Sequence, residues 1–187
     1  MNSQEKQLAL DAIAKEIASC RICKRDKVGV AVSGEGNPDA DVVFIGEAPG
    51  KQEAKTGRPF IGRSGKLLRE MIRKVGLKEE DVFITSPVKY LPKHVTPTKE
   101  EVAHGRTHLF AQFDVIQPKI IVLLGRVAAL AVLEENIEVA KMHGTTIERN
   151  GRTFIIFYHP AAILYSRRLL PAFEKDFLKL TQLTKKL

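Results

Sequence analysis

Two kinds of pattern alternate along this chain. Val42-Val43-Phe44-Ile45 and Phe154-Ile155-Ile156-Phe157 are short runs, apolar on both faces of an extended chain, that stop abruptly at turns. Such runs mark buried parallel strands. Together with Val82-Phe83-Ile84-Thr85 and the run from Lys119 to Leu124, they predict strands near 42–46, 82–85, 119–124 and 153–158. The other pattern spaces apolar residues three or four apart among charges, which marks helices. Leu8, Ile13 and Ile17 give a surface helix over 3–18, with Ser3 as its N-cap. Leu67, Leu68, Met71, Ile72 and Val75 give a second helix, closed by Gly76. Thr98-Lys99-Glu100-Glu101 has the form of a capping box and opens a helix to about Ile116, interrupted by Gly105. Further helices are predicted over 126–134 and 168–184, and a strand turned by Asn150-Gly151 within 135–151. Segments 20–40, 49–65 and 86–97 are rich in Gly or Pro and predict loops.

Strand–helix alternation implies a mainly parallel sheet covered on both faces. The expected fold is a three-layer α/β/α sandwich on a four-stranded sheet, as one domain over 1–187. A chain of 187 residues, 44% hydrophobic, suffices for one full core.

Charge narrows the partner. Thirty Lys and Arg against 22 Asp and Glu leave a formal net charge of +8, which favours an anionic partner, nucleic acid above all. No apolar run approaches the ~20 residues of a membrane span, so no membrane partner is expected. The polar start Met1-Asn2-Ser3-Gln4 lacks the apolar segment of a signal peptide. A cytoplasmic monomer is the expectation. Two cysteines, Cys20 and Cys23, give no disulfide framework.

In an open α/β sheet, ligands bind past the carboxyl ends of the strands. Glu47 follows the first predicted strand and His159 the last, so a carboxylate and an imidazole should face one cleft. Between them lies a basic, glycine-rich loop holding Phe60, an aromatic suited to stacking. Glycines such as Gly46 permit close backbone approach to a nucleotide.

Gly46-Glu47-Ala48-Pro49-Gly50, Glu53, Thr56-Gly57-Arg58-Pro59-Phe60-Ile61-Gly62-Arg63-Ser64-Gly65, Thr96-Pro97-Thr98 and His159-Pro160-Ala161-Ala162-Ile163-Leu164 together resemble the uracil-DNA glycosylase superfamily. The nearest branch is family 4, the thermostable iron–sulfur type. The resemblance runs from about Cys20 to the final helix. It implies a monofunctional DNA glycosylase of base excision repair, acting on DNA with a deaminated base flipped into a pocket. It implies catalytic roles for Glu47, His159 and Glu53, with His159 stabilising the departing base anion. Glu53 on a solvated surface is the plainer alternative. Gly46, Ala48, Phe60 and Ser86 would line the base pocket. Ala48 stands where other branches carry a water-activating Asp. Arg58, Arg63 and Lys66 would meet phosphates. Ile163 and Leu164 would fill the gap left by the flipped base, with Arg167 and Arg168 on the backbone; a hydrophobic cap on the sheet is the alternative.

Two positions depart from the family pattern. Ser86 replaces the Asn that reads uracil's polar edge, and a hydroxyl offers less than an amide. Only Cys20 and Cys23 match the four cysteines of the family's 4Fe–4S cluster, because Tyr90 and Gly105 stand at the other two positions. Four thiolates are the usual requirement. The cluster is therefore expected to be absent and no cofactor is needed for the chemistry. Zinc on Cys20, Cys23, His94 and His104 ranks below no metal and above a cluster. A vestigial or redox cysteine pair is the plain reading. Beside a glycosylase, two readings stay open: a non-catalytic member binding damaged or single-stranded DNA, and a hydrolase of small nucleosides.

Overall fold

The computed structural model describes residues 1–94 and 96–187. In chain order these form α1 (Ser3–Ser19), α2 (Arg21–Lys24), β1 (Lys27–Val28), β2 (Glu35–Gly36), β3 (Val42–Ile45), α3 (Glu53–Thr56), α4 (Arg63–Lys74), β4 (Val82–Thr85), β5 (Leu91–Pro92), α5 (Lys99–Ile116), β6 (Ile120–Leu124), α6 (Arg126–Leu133), α7 (Val139–Met142), β7 (Thr146–Arg149), β8 (Arg152–Phe157), α8 (Pro160–Tyr165) and α9 (Leu170–Thr184). Single 3-10 turns occupy Glu79–Asp81 and Arg167–Leu169.

The four expected strands form the parallel centre of the main sheet, in the order β4-β3-β6-β8. The sheet has six strands rather than four, because β2 pairs antiparallel with β4 at one edge and β7 pairs antiparallel with β8 at the other. The β7–β8 hairpin turns at Asn150-Gly151, both at positive φ (53° and 72°), the conformation a tight two-residue hairpin needs. β2 is two residues long and carries no periodic signal. Its Gly36 lies so close to β4 that an added Cβ would stand 2.1 Å from the Val82 carbonyl oxygen.

Side chains alternate across the sheet with period two, and both faces are apolar. Val43, Ile45, Ile121, Leu123, Phe154 and Ile156 pack against α1, α5 and α6. Val42, Phe44, Val122, Leu124, Ile155 and Phe157 pack against α4, α8 and α9. This is the three-layer α/β/α arrangement.

The helix starts follow their caps. Thr98 and Glu101 form the expected capping box on α5. On α1 the cap is Asn2, reciprocated by Glu5, and not Ser3; the helix begins one residue earlier than the apolar spacing required. The loop 86–97 contains β5, which pairs with β1, and 20–40 contains α2, β1 and β2. At the end of β4, Lys89 is fully buried. Its Nζ donates to Thr85 Oγ1 (2.8 Å), Gln112 Oε1 (2.9 Å) and the Ser33 carbonyl (3.2 Å). Burial pushes this amine down to about 7, and the three acceptors anchor the chain just past Ser86.

Candidate active site

Because β3, β4, β6 and β8 run parallel, their carboxyl ends open on one edge. Glu47 follows β3, Ser86 follows β4 and His159 follows β8. A cavity of about 310 Å³ lies there, lined among others by Glu47, Ala48, Glu53, Phe60, Ser86 and His159. Gly46 does not line this cavity itself but lies under the Phe60 ring: an added Cβ would stand 2.5 Å from Phe60 Cζ, so glycine lets the ring lie over the strand end.

Phe60 sits in the left-handed region (φ 52°), an arrangement that costs about 1–3 kcal/mol and persists only when its surroundings hold it. Three contacts hold it. The Arg69 guanidinium donates to the Phe60 carbonyl (2.9 Å) and the Pro59 carbonyl (2.8 Å). Glu53 Oε1 accepts the N–H groups of Ile61 and Gly62, each at 2.8 Å. Gly65, in the first turn of α4, lies against the Phe60 backbone, where a Cβ would meet the carbonyl carbon at 2.0 Å. Arg69 was not a sequence candidate; a helical arginine among other charges carries no mark of what it clamps.

Glu53 is therefore not on a solvated surface. It is 7% exposed and joins the first loop to the Phe60 loop. If Glu53 acts as this clasp, Glu53→Gln should lower melting temperature and base release together. The loss of a charged acceptor is worth about 1.5–3 kcal/mol. A general base would instead lose activity at unchanged stability, so paired melting and excision measurements separate the two roles.

His159 caps α8, and its Nδ1 accepts the Ala161 N–H at 3.2 Å. That contact assigns the neutral tautomer with the proton on Nε2. Burial pushes the imidazole down to about 4, so it is an uncharged donor at neutral pH. Its ring centroid lies 6.0 Å from that of Phe60. Desolvation raises the Glu47 carboxyl above its usual range, partly offset by the Arg126 charge. The Ser86 hydroxyl donates to the Val88 carbonyl (2.9 Å), which leaves its oxygen with acceptor capacity only.

The surface residues divide. Arg63, Lys66, Arg167 and Arg168 are exposed. Arg58 is held by both carboxylate oxygens of Glu35 (2.9 and 3.1 Å). The segment after His159 is helix α8 followed by a 3-10 turn, not a loop. Ile163 is wholly buried (0%) against the sheet and is no surface probe. The exposed apolar tip is Leu164 with Tyr165, the latter 94% exposed. Tyr165 follows the segment that carries the resemblance, and its exposure cannot be seen in a lone tyrosine code.

The cysteines lie away from this cavity, at the start of α2. Burial, with Cys20 beside it, pushes the Cys23 thiol up to about 12, which makes a free thiol a poor redox nucleophile. Tyr90 is buried with its hydroxyl on the Ala18 carbonyl (3.4 Å), and Gly105 packs on Pro87 with no room for a side chain. Neither position fits a cluster ligand.

A family profile described as "Uracil DNA glycosylase superfamily" matches residues 33–182. The chain belongs to the uracil-DNA glycosylase superfamily. It is 42% identical over 185 residues to the Type-4 uracil-DNA glycosylase of Archaeoglobus fulgidus, covering 94% of this chain and 93% of that protein. It is 40% identical over 186 residues to the Type-4 uracil-DNA glycosylase of Sulfurisphaera tokodaii, covering 94% and 84%. The Type-4 enzyme of Thermotoga maritima is 38% identical over 163 residues, 84% of each chain. No helix among the described residues is long and apolar enough to cross a membrane.

Proposed function

We propose that this chain is a monofunctional DNA glycosylase that hydrolyses the N-glycosidic bond of uracil in DNA, as a single cytoplasmic domain in base excision repair. The observation that carries the reading is the facing pair Phe60 and His159 in a cavity at the strand ends, within a chain similar over most of its length to Type-4 uracil-DNA glycosylases.

A base within a duplex is out of reach and must be extruded into a pocket. Phe60, preset in its strained loop, stacks on the extruded ring. As the glycosidic bond breaks, negative charge grows on the base and positive charge on the sugar. The His159 Nε2–H stands ready for that negative charge, and as a neutral imidazole it donates this hydrogen bond without first having to be protonated. The Glu47 carboxyl, with no competing side-chain hydrogen bond among the described residues, orients the attacking water or balances the sugar cation. Ala48 supplies a wall and no base. Arg63, Lys66, Arg167 and Arg168 neutralise phosphates, while Leu164 and Tyr165 fill the vacated stack. No cofactor takes part, and two cysteines do not make a four-thiolate cluster.

Ser86 favours a second reading, a member that binds damaged or single-stranded DNA without cleaving it. Its hydroxyl can accept uracil's N3–H but has no proton left for O4. Oligonucleotides carrying uracil, hypoxanthine or xanthine, single- and double-stranded, followed by alkaline cleavage of abasic sites, decide between the two. Release of uracil is expected from the wild type. Ser86→Asn should raise it by about 5- to 10-fold, the worth of one added hydrogen bond. If both proteins bind these oligonucleotides and neither releases a base, the binding reading replaces the glycosylase.

A further inference from the structure

A second constellation stands where α2 meets α5, apart from the strand-end cavity. Cys20 caps α2, and its Sγ accepts the Cys23 N–H at 3.3 Å. His104 and His108 lie four residues apart on α5 and so share one face of that helix. His104 Nε2 is 3.2 Å from Cys20 Sγ, and the two imidazoles meet edge to face, 5.5 Å between centroids. One donor atom from each of the four residues lies within 4.8 Å of every other. His108 is 5% exposed, and among the described residues its buried Nε2 has no hydrogen-bond partner. A buried, unpaired ring nitrogen on a histidine grouped with two sulfurs and a second imidazole calls for a ligand.

We propose that Cys20, Cys23, His104 and His108 bind one zinc ion in a closed, tetrahedral, structural site. Two thiolates with two imidazoles are a structural zinc donor set. Zinc–nitrogen and zinc–sulfur bonds of about 2.0–2.3 Å place tetrahedral donors roughly 3.3–3.8 Å apart, so four donors within 4.8 Å close on one ion with small side-chain movements. An iron–sulfur cluster interposes several metal atoms and needs a wider cage. Hard cations want oxygen ligands, which this set lacks. Two thiolates also cancel the zinc charge, so the buried site is neutral overall. The ligand set differs from the one expected at the outset: His94 is exposed and outside the group, and His108 takes its place.

The site has a structural consequence for the cavity. Gly105, between the two histidines, touches the Pro87 carbonyl so closely that a Cβ would stand 2.1 Å from its oxygen. Pro87 follows Ser86, and Ser86, Leu91 and Pro92 line the strand-end cavity. Zinc thus ties α2 to α5, and α5 braces the back of the cavity wall.

Protein expressed with zinc supplementation and purified without chelator is expected to carry about one zinc per chain and no acid-labile sulfide. Replacement by cobalt(II) should give the visible bands of a tetrahedral ion and a near-ultraviolet thiolate charge-transfer band. Stripping the metal should lower the melting temperature by about 10 °C, restored by added zinc. His108→Ala and Cys20→Ser should each lose the stoichiometric metal, while His94→Ala keeps it. Two outcomes overturn the proposal. One is wild-type protein that retains no zinc and gives no tetrahedral cobalt spectrum; the other is iron with stoichiometric sulfide. Both are read on wild type, so a variant that fails to fold leaves the answer intact. Neither readout uses base release, so the zinc site stands or falls apart from the glycosylase reading.

Discussion

His159→Ala is expected to slow uracil release by about 10²-fold or more, the scale of losing one preorganised donor, with DNA affinity little changed. The imidazole faces the cavity through Nε2–H because Nδ1 is committed to the Ala161 N–H. Its effect should appear in the single-turnover rate of base release and not in binding. The pH profile adds a second readout. A histidine pushed down to about 4 stays neutral through the physiological range, so release should show no His159 titration near the ordinary value of about 6.5. Stability follows from the same depression. Between the two values the unfolded chain binds a proton that the folded chain refuses, so stability falls as pH drops from about 6.5 to about 4. The full loss is about 3 kcal/mol, at about 1.4 kcal/mol for each unit of depression. His159→Ala should flatten that acid limb in a melting series. A variant that releases uracil at the wild-type rate would remove His159 from the chemistry.

Gly65→Ala is expected to damage both fold and activity, although it adds one methyl group. The methyl would stand 2.0 Å from the Phe60 carbonyl carbon and 2.1 Å from its oxygen. These are backbone atoms, so no side-chain rotation relieves the clash. Overpacking of this kind costs about 1–3 kcal/mol, or roughly 2–10 °C in melting temperature for a chain of this size. Relief must come from movement of the Phe60 loop, which already holds a left-handed residue between Arg69 and Glu53. Base release should therefore fall by about 10-fold or more. Glu70→Ala, an exposed change on the same helix, should stay within about 0.5 kcal/mol of wild type. Wild-type melting and release in Gly65→Ala would show that the loop adapts freely and that its preset geometry is unimportant.

Legibility in the sequence followed the range of the interaction. The four central strands were visible because their apolar runs are continuous, and the α5 start was visible because a capping box is local. The edge strand β2 was not, since two residues carry no period and pair only through a distant partner. Helix α8 was hidden because six residues opening on a proline give too short a window, and without that helix nothing in the sequence marks Ile163 as core and not as a probe. Glu53 shows the same limit. Its code permits a solvated acid or a buried clasp, and only the position of Ile61 and Gly62 above it distinguishes them.

By itself, then, the sequence determined the parallel sheet, the covering of both faces, the basic surface and the two strand ends that carry Glu47 and His159. Each of these rests on local periodicity, local turn chemistry or a sum over residues. The tertiary structure alone decided the tautomer of His159, the inward commitment of the Ser86 hydroxyl, the left-handed Phe60 and the meeting of Cys20 and Cys23 with His104 and His108. Each of these depends on atoms far apart in the chain. A donor's direction, a carboxyl's solvation and a shared metal-sized space are properties of what packs around a residue, and a sequence position does not carry them.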